Sequence, residues 1–179
     1  MMRARVLRSF PLLASALAAL AAAGCSNYHV VRTDAGLGPV HRVAVETLEN
    51  QSYEPGIEVM VSEAFRREFE RGGTVLVSDP AHADLVLSGA VLSLITMPRS
   101  FSSVGFGLEY QVELRLAMTA RRSDGSVIPL DSHAMRDWEL YLTSSDVEAE
   151  HKNRDEALRR VSSVLAQRTR EFLADRLAR

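Results

Sequence analysis

"LEYQVELRLAMTARRSDGS", Leu108–Ser126, decides the fold. Leu108, Tyr110, Val112, Leu114, Leu116 and Met118 alternate with Glu109, Gln111, Glu113, Arg115, Ala117 and Thr119. Successive side chains of a strand point to opposite faces, so this pattern predicts a long strand with one buried and one wet face. Asp124-Gly125 follows, a strong hairpin signal because glycine accepts a left-handed turn position. A returning strand is expected over Val127–Leu140, with Pro129 at an edge or bulge, since proline cannot donate to a ladder.

Upstream, "LVLSGAVLSLIT", Leu85–Thr96, is apolar on both faces and predicts a central strand. Gly89 inside it signals a bulge or a close backbone approach. Residues 97–107, "MPRSFSSVGFG", read as a loop. Val40–Leu48 alternates and is valine-rich, which predicts a first strand, and Thr74–Ser78 predicts a short second one. Between them Ile57, Met60, Val61, Ala64, Phe65 and Phe69 recur at helical spacing. Pro55 suits the first turn of that helix, and Gly72-Gly73 suits its stop.

A long helix closes the chain, with Ser145 and Glu148 as a capping box. Ala157, Leu158, Val161, Val164, Leu165, Phe172 and Leu173 trace its apolar stripe. Arg154, Arg159, Arg160, Arg168 and Arg170 read as a solvated face. Runs of strands between helices predict an α+β fold. The expected architecture is two helices packed on one face of a four- to five-stranded, mostly antiparallel sheet.

The N-terminus is of another kind. Arg3, Arg5 and Arg8 precede an apolar run, Phe10 to Ala23, interrupted only by Ser15. A basic start, a short apolar segment and small residues make a secretory signal, and the run is too short for a comfortable membrane span. Ala22-Ala23-Gly24-Cys25 then resembles a bacterial lipobox, with the chain's single cysteine as the acylation point. The expected division is residues 1–24 as lipoprotein signal peptide, 25–39 as lipidated N-terminus and tether, and 40–179 as one domain. Ser26 stands where an inner-membrane retention aspartate would be, so the outer membrane is the expected destination. Losing three arginines moves the formal charge from −2 to −5, which argues against nucleic acid as a partner.

Chemistry is sparse. His29, His41, His82, His133 and His151 form no HxxxH or HExxH pair, and no second cysteine completes a thiolate metal site. Neither a GxSxG elbow nor a Walker-type phosphate loop is present. No catalytic residue, metal ligand or cofactor is therefore assigned, and the expectation is a protein that is not an enzyme. Two features suit binding. Arg99, Phe101 and Phe106 place aromatics beside a cation, fit for an acyl chain or a partner groove with arginine on a phosphate; equally, the phenylalanines fold back on the sheet edge. Arg121-Arg122 at a strand end suits a phosphate clamp, with a solvated turn as the commoner explanation.

Several pieces in order resemble one family. Tyr28-His29 follows the lipidated cysteine; then come "LENQSYEPGIE", Leu48–Glu58, "ADLVLSGAV", Ala83–Val91, "EYQVELRLAMTARRSDGSV", Glu109–Val127, and the final "DEALRRVSSVLAQRTREFLADRL". This ordering resembles the LPS-assembly lipoprotein family LptE across nearly the whole mature chain. Ser26-Asn27 replaces a usual glycine, Leu48 a phenylalanine, Gln51-Ser52 an Arg-Thr, and Ile128-Pro129-Leu130 stands where a tryptophan is often seen. The resemblance implies an outer-membrane lipoprotein on the periplasmic side. Its implied partners are an LptD-type β-barrel, which it plugs and helps assemble, and lipopolysaccharide, which it contacts. Arg99, Phe101, Phe106, Arg121 and Arg122 are then candidate lipopolysaccharide or barrel contacts. The rival reading is a lipoprotein that activates a periplasmic cell-wall synthase or pilots a secretin. A tether of only about fifteen residues favours a partner in the same membrane.

Overall fold

The computed structural model describes residues 36–105 and 107–178. Cys25, the signal segment, most of the tether and Phe106 lie outside the described residues. In chain order the elements are β1 (Arg42–Val45), β2 (Glu49–Asn50), α1 (Ile57–Arg71), β3 (Val75–Leu76), a 3-10 turn (Pro80–His82), β4 (Leu85–Phe101), β5 (Gly107–Arg122), β6 (Val127–Pro129), β7 (Arg136–Leu142) and α2 (Val147–Leu177). The sheet runs β3-β1-β4-β5-β6, with β2 also on β4 and β7 also on β5.

Two helices and a mixed sheet give the α+β fold. The long pairings, β4 with β5 and β5 with β6 and β7, are antiparallel. The short pairings of β1 and β2 to β4, and of β1 to β3, are parallel. Seven strands stand where four to five were expected. The excess comes from two-residue β2 and β3 and from a returning strand broken in two. That break is a turn in which Asp131 accepts from the amides of His133 and Met135, so β6 and β7 pair with different halves of β5.

The buried row expected of β5 holds from Val112 to Met118, but Gln111 and Glu113 of the expected wet face are buried as well, and Leu108 of the apolar row is half exposed. Val112, Leu114, Leu116 and Met118 are buried, and Ala120 continues the row. They pack with Val43, Leu85, Leu87 and Val91 against Phe65 and Phe69 of α1 and Leu158, Val161, Leu165 and Leu173 of α2. Each such side chain contributes roughly 1.5–3 kcal/mol on burial. Gly89 is a close approach: a Cβ there would stand 2.0 Å from the Ala117 carbonyl oxygen of the paired strand.

Several local expectations change. Strand β4 does not end at Thr96 but continues through Arg99 to Phe101, because β5 offers it a ladder as far as Gly107. Pro98 is tolerated because β1 and β2 reach β4 only as far as Val91, which leaves Pro98 on a free edge. Helix α1 starts after Gly56, at φ +83°, so Pro55 lies outside its first turn. Gly73, at φ +84°, ends it as expected. The α2 cap is Asp146, not Ser145; its carboxylate accepts from the amides of Glu148 and Ala149 at 2.9 and 3.3 Å.

The α2 arginines are not one solvated face. Arg170 is buried and its Nε donates to Glu68 Oε1 of α1 at 2.9 Å. Arg154 holds Glu54 with two bonds, at 3.0 and 2.8 Å. Arg168 donates to the Ala134 and Arg136 carbonyls and to Asp137. In exchange, Val164 and Phe172 of the expected stripe remain about 40% exposed. Arginine's long stem and fork let it replace aliphatic packing where a carboxylate stands opposite.

Candidate functional site

The β4–β5 hairpin is the element that carries the candidate contacts. Seventeen residues of β4 extend about 50 Å at the usual strand rise. Its far tip is a turn in which the Gly105 amide donates to the Ser102 carbonyl, with Gly105 at φ +86°. The base of that tip is stitched to the residue just after β7, where the Thr143 amide donates to the Leu108 carbonyl and its hydroxyl to the Gly107 carbonyl. Beneath it Tyr110 and Tyr141 stack at 5.8 Å between centroids, and burial raises the Tyr141 hydroxyl pKa.

Arg99 is exposed at the tip on the strand itself, not in a loop. Phe101, Val104 and Leu108 are exposed by 59%, 75% and 49%, so Phe101 does not fold back on the sheet. No acidic residue lies between Met97 and Leu108, which leaves Arg99 as the one formal charge of that segment. The tip is therefore apolar with a single cation.

Arg121 and Arg122 sit at the opposite end of the same hairpin, where Leu85 pairs with Arg122 and Val86 with Arg121. About 45 Å of strand separates them from Arg99, so the candidate residues cannot form one site. Arg121 is exposed, whereas Arg122 has a buried Nε without a hydrogen-bond partner among the described residues. Asp124 stands near Arg122 and its pKa is lowered, first by hydrogen bonds from Ser126 and further by Arg122. This end is also where the chain enters the domain. Asp84 accepts from the His41 and Arg42 amides and from the Arg42 guanidinium, and its carbonyl accepts from the Ser123 amide beside the turn. Those bonds, led by Arg42, hold the Asp84 carboxyl to about 2.

One surface was not singled out from sequence. On the sheet face away from the helices, β7 presents Trp138, Leu140 and Leu142 outward, exposed by 51%, 37% and 61%. Its alternation is inverted: Asp137 and Glu139 turn toward α2, where Arg168 and Arg160 pair with them at 3.0 and 3.6 Å. The Trp138, Leu140, Leu142 spacing carried the period-two signal, but only the arginines of α2 decide which row faces out. Across the register, Ile95 and Met97 of β4 flank Glu113 and Gln111 of β5 on this same face. Glu113 is 3% exposed, bonded by Arg136 at 2.7 Å and Arg115 at 3.0 Å, and these cations, Arg136 foremost, lower its pKa.

Among the described residues no His, Cys, Asp and Glu side chains group to hold a metal ion, and no helix is long and apolar enough to cross a membrane.

No curated protein sequence matches the chain. Among the solved structures that share its fold are two lipoproteins. Rare lipoprotein B from Shewanella oneidensis is 15% identical with a TM-score of 0.50, covering 73% of this chain and 96% of that one. The uncharacterized lipoprotein B from Nitrosomonas europaea is 10% identical with a TM-score of 0.53, covering 82% and 92%. At such identities the likeness speaks for the fold alone. Residues 40–179 match the model of the family LptE, Lipopolysaccharide-assembly. The chain belongs to the LptE lipopolysaccharide-assembly family.

Proposed function

We propose that this protein is an outer-membrane lipoprotein, acylated at Cys25 on the periplasmic side, that plugs an LptD-type β-barrel, assists its assembly and contacts lipopolysaccharide. The observation that carries the reading beyond family membership is the shape and chemistry of the hairpin. Its anchored end lies at Arg121 and Arg122, beside the point where the tether enters. Cys25 and Gly36 are eleven positions apart, a reach of at most about 40 Å when extended. The other end lies about 50 Å farther along the strands, longer than the roughly 30 Å hydrocarbon core of a bilayer. A barrel-seated molecule of that length presents its tip at the opposite leaflet from its anchor.

At that tip Arg99 suits a lipid phosphate through its bidentate fork, and Phe101, Val104 and Leu108 suit acyl chains. Phe106 belongs to the same turn by sequence. Arg121 and Arg122 then face the inner-leaflet side, as contacts to the barrel rim or to headgroup phosphate, and take no part in the tip.

Purification of the tagged full chain from outer membranes tests the main claim, with the barrel expected to co-purify. A photocrosslinking scan at Arg99, Phe101, Phe106 and Arg122 tests the polarity. Lipopolysaccharide adducts are expected at the first three positions and barrel adducts at Arg122. Recovery of the chain without any barrel, or lipopolysaccharide adducts confined to Arg122, overturns the reading.

A further inference from the structure

We infer that the open edge of β4 between Ser93 and Pro98 is a docking lane for one extended segment of the barrel protein, which adds to the sheet as a further strand. This rests on the barrel reading above and names a place where the two backbones meet.

The ladder fixes the side to which each backbone group turns. Leu116 donates its amide to the Met135 carbonyl, and the Leu108 carbonyl accepts from the Thr143 amide, so the even-numbered residues of β5 face β7. The odd-numbered ones face β4, where Arg115, Glu113 and Gln111 lie opposite Ser93, Ile95 and Met97. Leu94, Thr96 and Pro98 therefore turn their backbone groups outward, because the direction alternates along a strand. Pro98 fits this parity, since its nitrogen has no hydrogen to donate. The outward amides of Leu94 and Thr96, and the carbonyls of Leu94, Thr96 and Pro98, have no partner among the described residues.

The vacancy is built into the fold. Lower down, β2 occupies this edge, and the Gln51 amide donates to the Val91 carbonyl. The chain then turns away. Asn50 accepts from the Ser52 amide and donates to the Glu54 carbonyl, while Arg154 of α2 holds the Glu54 carboxylate. The register shift at Val91/Ser93 bounds the lane below, and Pro98 bounds it above. Proteins ordinarily guard a free edge with charge, yet Leu92 to Met97 carry none, and Leu92 and Ile95 are 40% and 39% exposed. Such an edge recognises an extended polypeptide through main-chain hydrogen bonds, with alternate side chains lying beside Leu94 and Ile95.

The tether is the wrong occupant. Ser93 lies eight positions beyond Leu85, about 26 Å along the strand from the entry end. A tether drawn up there would carry Cys25 toward the tip, away from the anchored end. A second copy docked edge to edge would set two hairpins side by side, where the barrel seats one. A closed barrel has no free strand edge of its own, so the segment comes from a loop that turns into the lumen.

Hydrogen–deuterium exchange, read at single residues by fragmentation mass spectrometry, compares the full acylated chain alone in detergent with the co-purified barrel complex. The Leu94 and Thr96 amides are expected to exchange at least about tenfold more slowly in the complex, while those of Ile95 and Met97, which face β5, are slow in both. Thr96→Pro removes an outward amide and spares the β5 ladder. It is expected to lower recovery of the barrel about tenfold, the worth of one hydrogen bond whose acceptor is left unpaired. Far-UV circular dichroism checks that the variant is folded; if it is not, the wild-type exchange alone decides. Equal exchange of Leu94 and Thr96 in the two samples overturns the inference and leaves the barrel reading standing. So does a folded Thr96→Pro chain that recovers the barrel as well as wild type. Recovery of the wild-type chain without any barrel overturns both.

Discussion

Replacing the Glu68–Arg170 pair one residue at a time should reveal how the two helices are joined. The side chains are 10% and 9% exposed, and their bond spans 102 positions of sequence. Breaking a buried pair from one side costs about 3–5 kcal/mol, because an uncompensated charge is left behind. The two sides are not equivalent in this protein. Glu68 keeps a second cation, since Arg71 donates to its Oε2 at 2.9 Å, whereas Arg170 bonds to Glu68 alone among the described residues. Glu68→Leu therefore strands a guanidinium and should cost about 4 kcal/mol; Arg170→Met should cost about 2 kcal/mol. The double variant replaces the pair by apolar packing and should fall within about 1 kcal/mol of wild type. At about 2–4 °C per kcal/mol for a domain of this size, Glu68→Leu lowers Tm by roughly 10 °C. Urea titration followed by circular dichroism gives the three values from the shift in midpoint at constant slope. Equal costs for the two single variants, or a double variant as unstable as their sum, would refute the argument. Gly72→Ala probes the same joint, because its Cβ would lie 2.7 Å from Arg170 Cδ.

Gly89→Ala should destabilise by several kcal/mol in the same titration, because the 2.0 Å contact is with a backbone carbonyl held in the ladder and strands would have to part. Asp146→Ala should cost about 1 kcal/mol by removing the α2 cap, with Asp146→Asn nearly neutral. Asp84 and Glu113 both have depressed pKa values, Asp84 to about 2. The stability they contribute is complete above the unfolded carboxylate range near 4 and is lost as pH falls through the folded values. Asp84→Asn should accordingly flatten the fall in Tm between about pH 4 and 2. Arg99→Glu and Phe101→Ser should leave Tm within about 1 °C of wild type, since both side chains are exposed, while abolishing lipopolysaccharide adducts at the tip.

The sequence by itself determined what depends on periodicity and on local backbone chemistry. Alternation over Val112–Met118 established the long strand and its buried face, because a one-residue slip would expose the whole row. The apolar spacing of Ile57–Phe69 and the stop at Gly73 placed the first helix. Asp124-Gly125 placed the hairpin turn, whose Ser126 amide does donate to Asp124. Tertiary structure decided what depends on a partner far away in the chain. Arg99 and Phe101 lie on a strand because β5 extends the ladder past Pro98. Trp138, Leu140 and Leu142 face outward because Arg160 and Arg168, more than twenty residues on, claim the polar row of β7. Arg170 is buried because Glu68 waits for it on the other helix. Arg99 and the Arg121-Arg122 pair stand toward opposite ends of a hairpin, because antiparallel pairing sets Arg121 beside Val86, about 43 Å of strand away from Arg99.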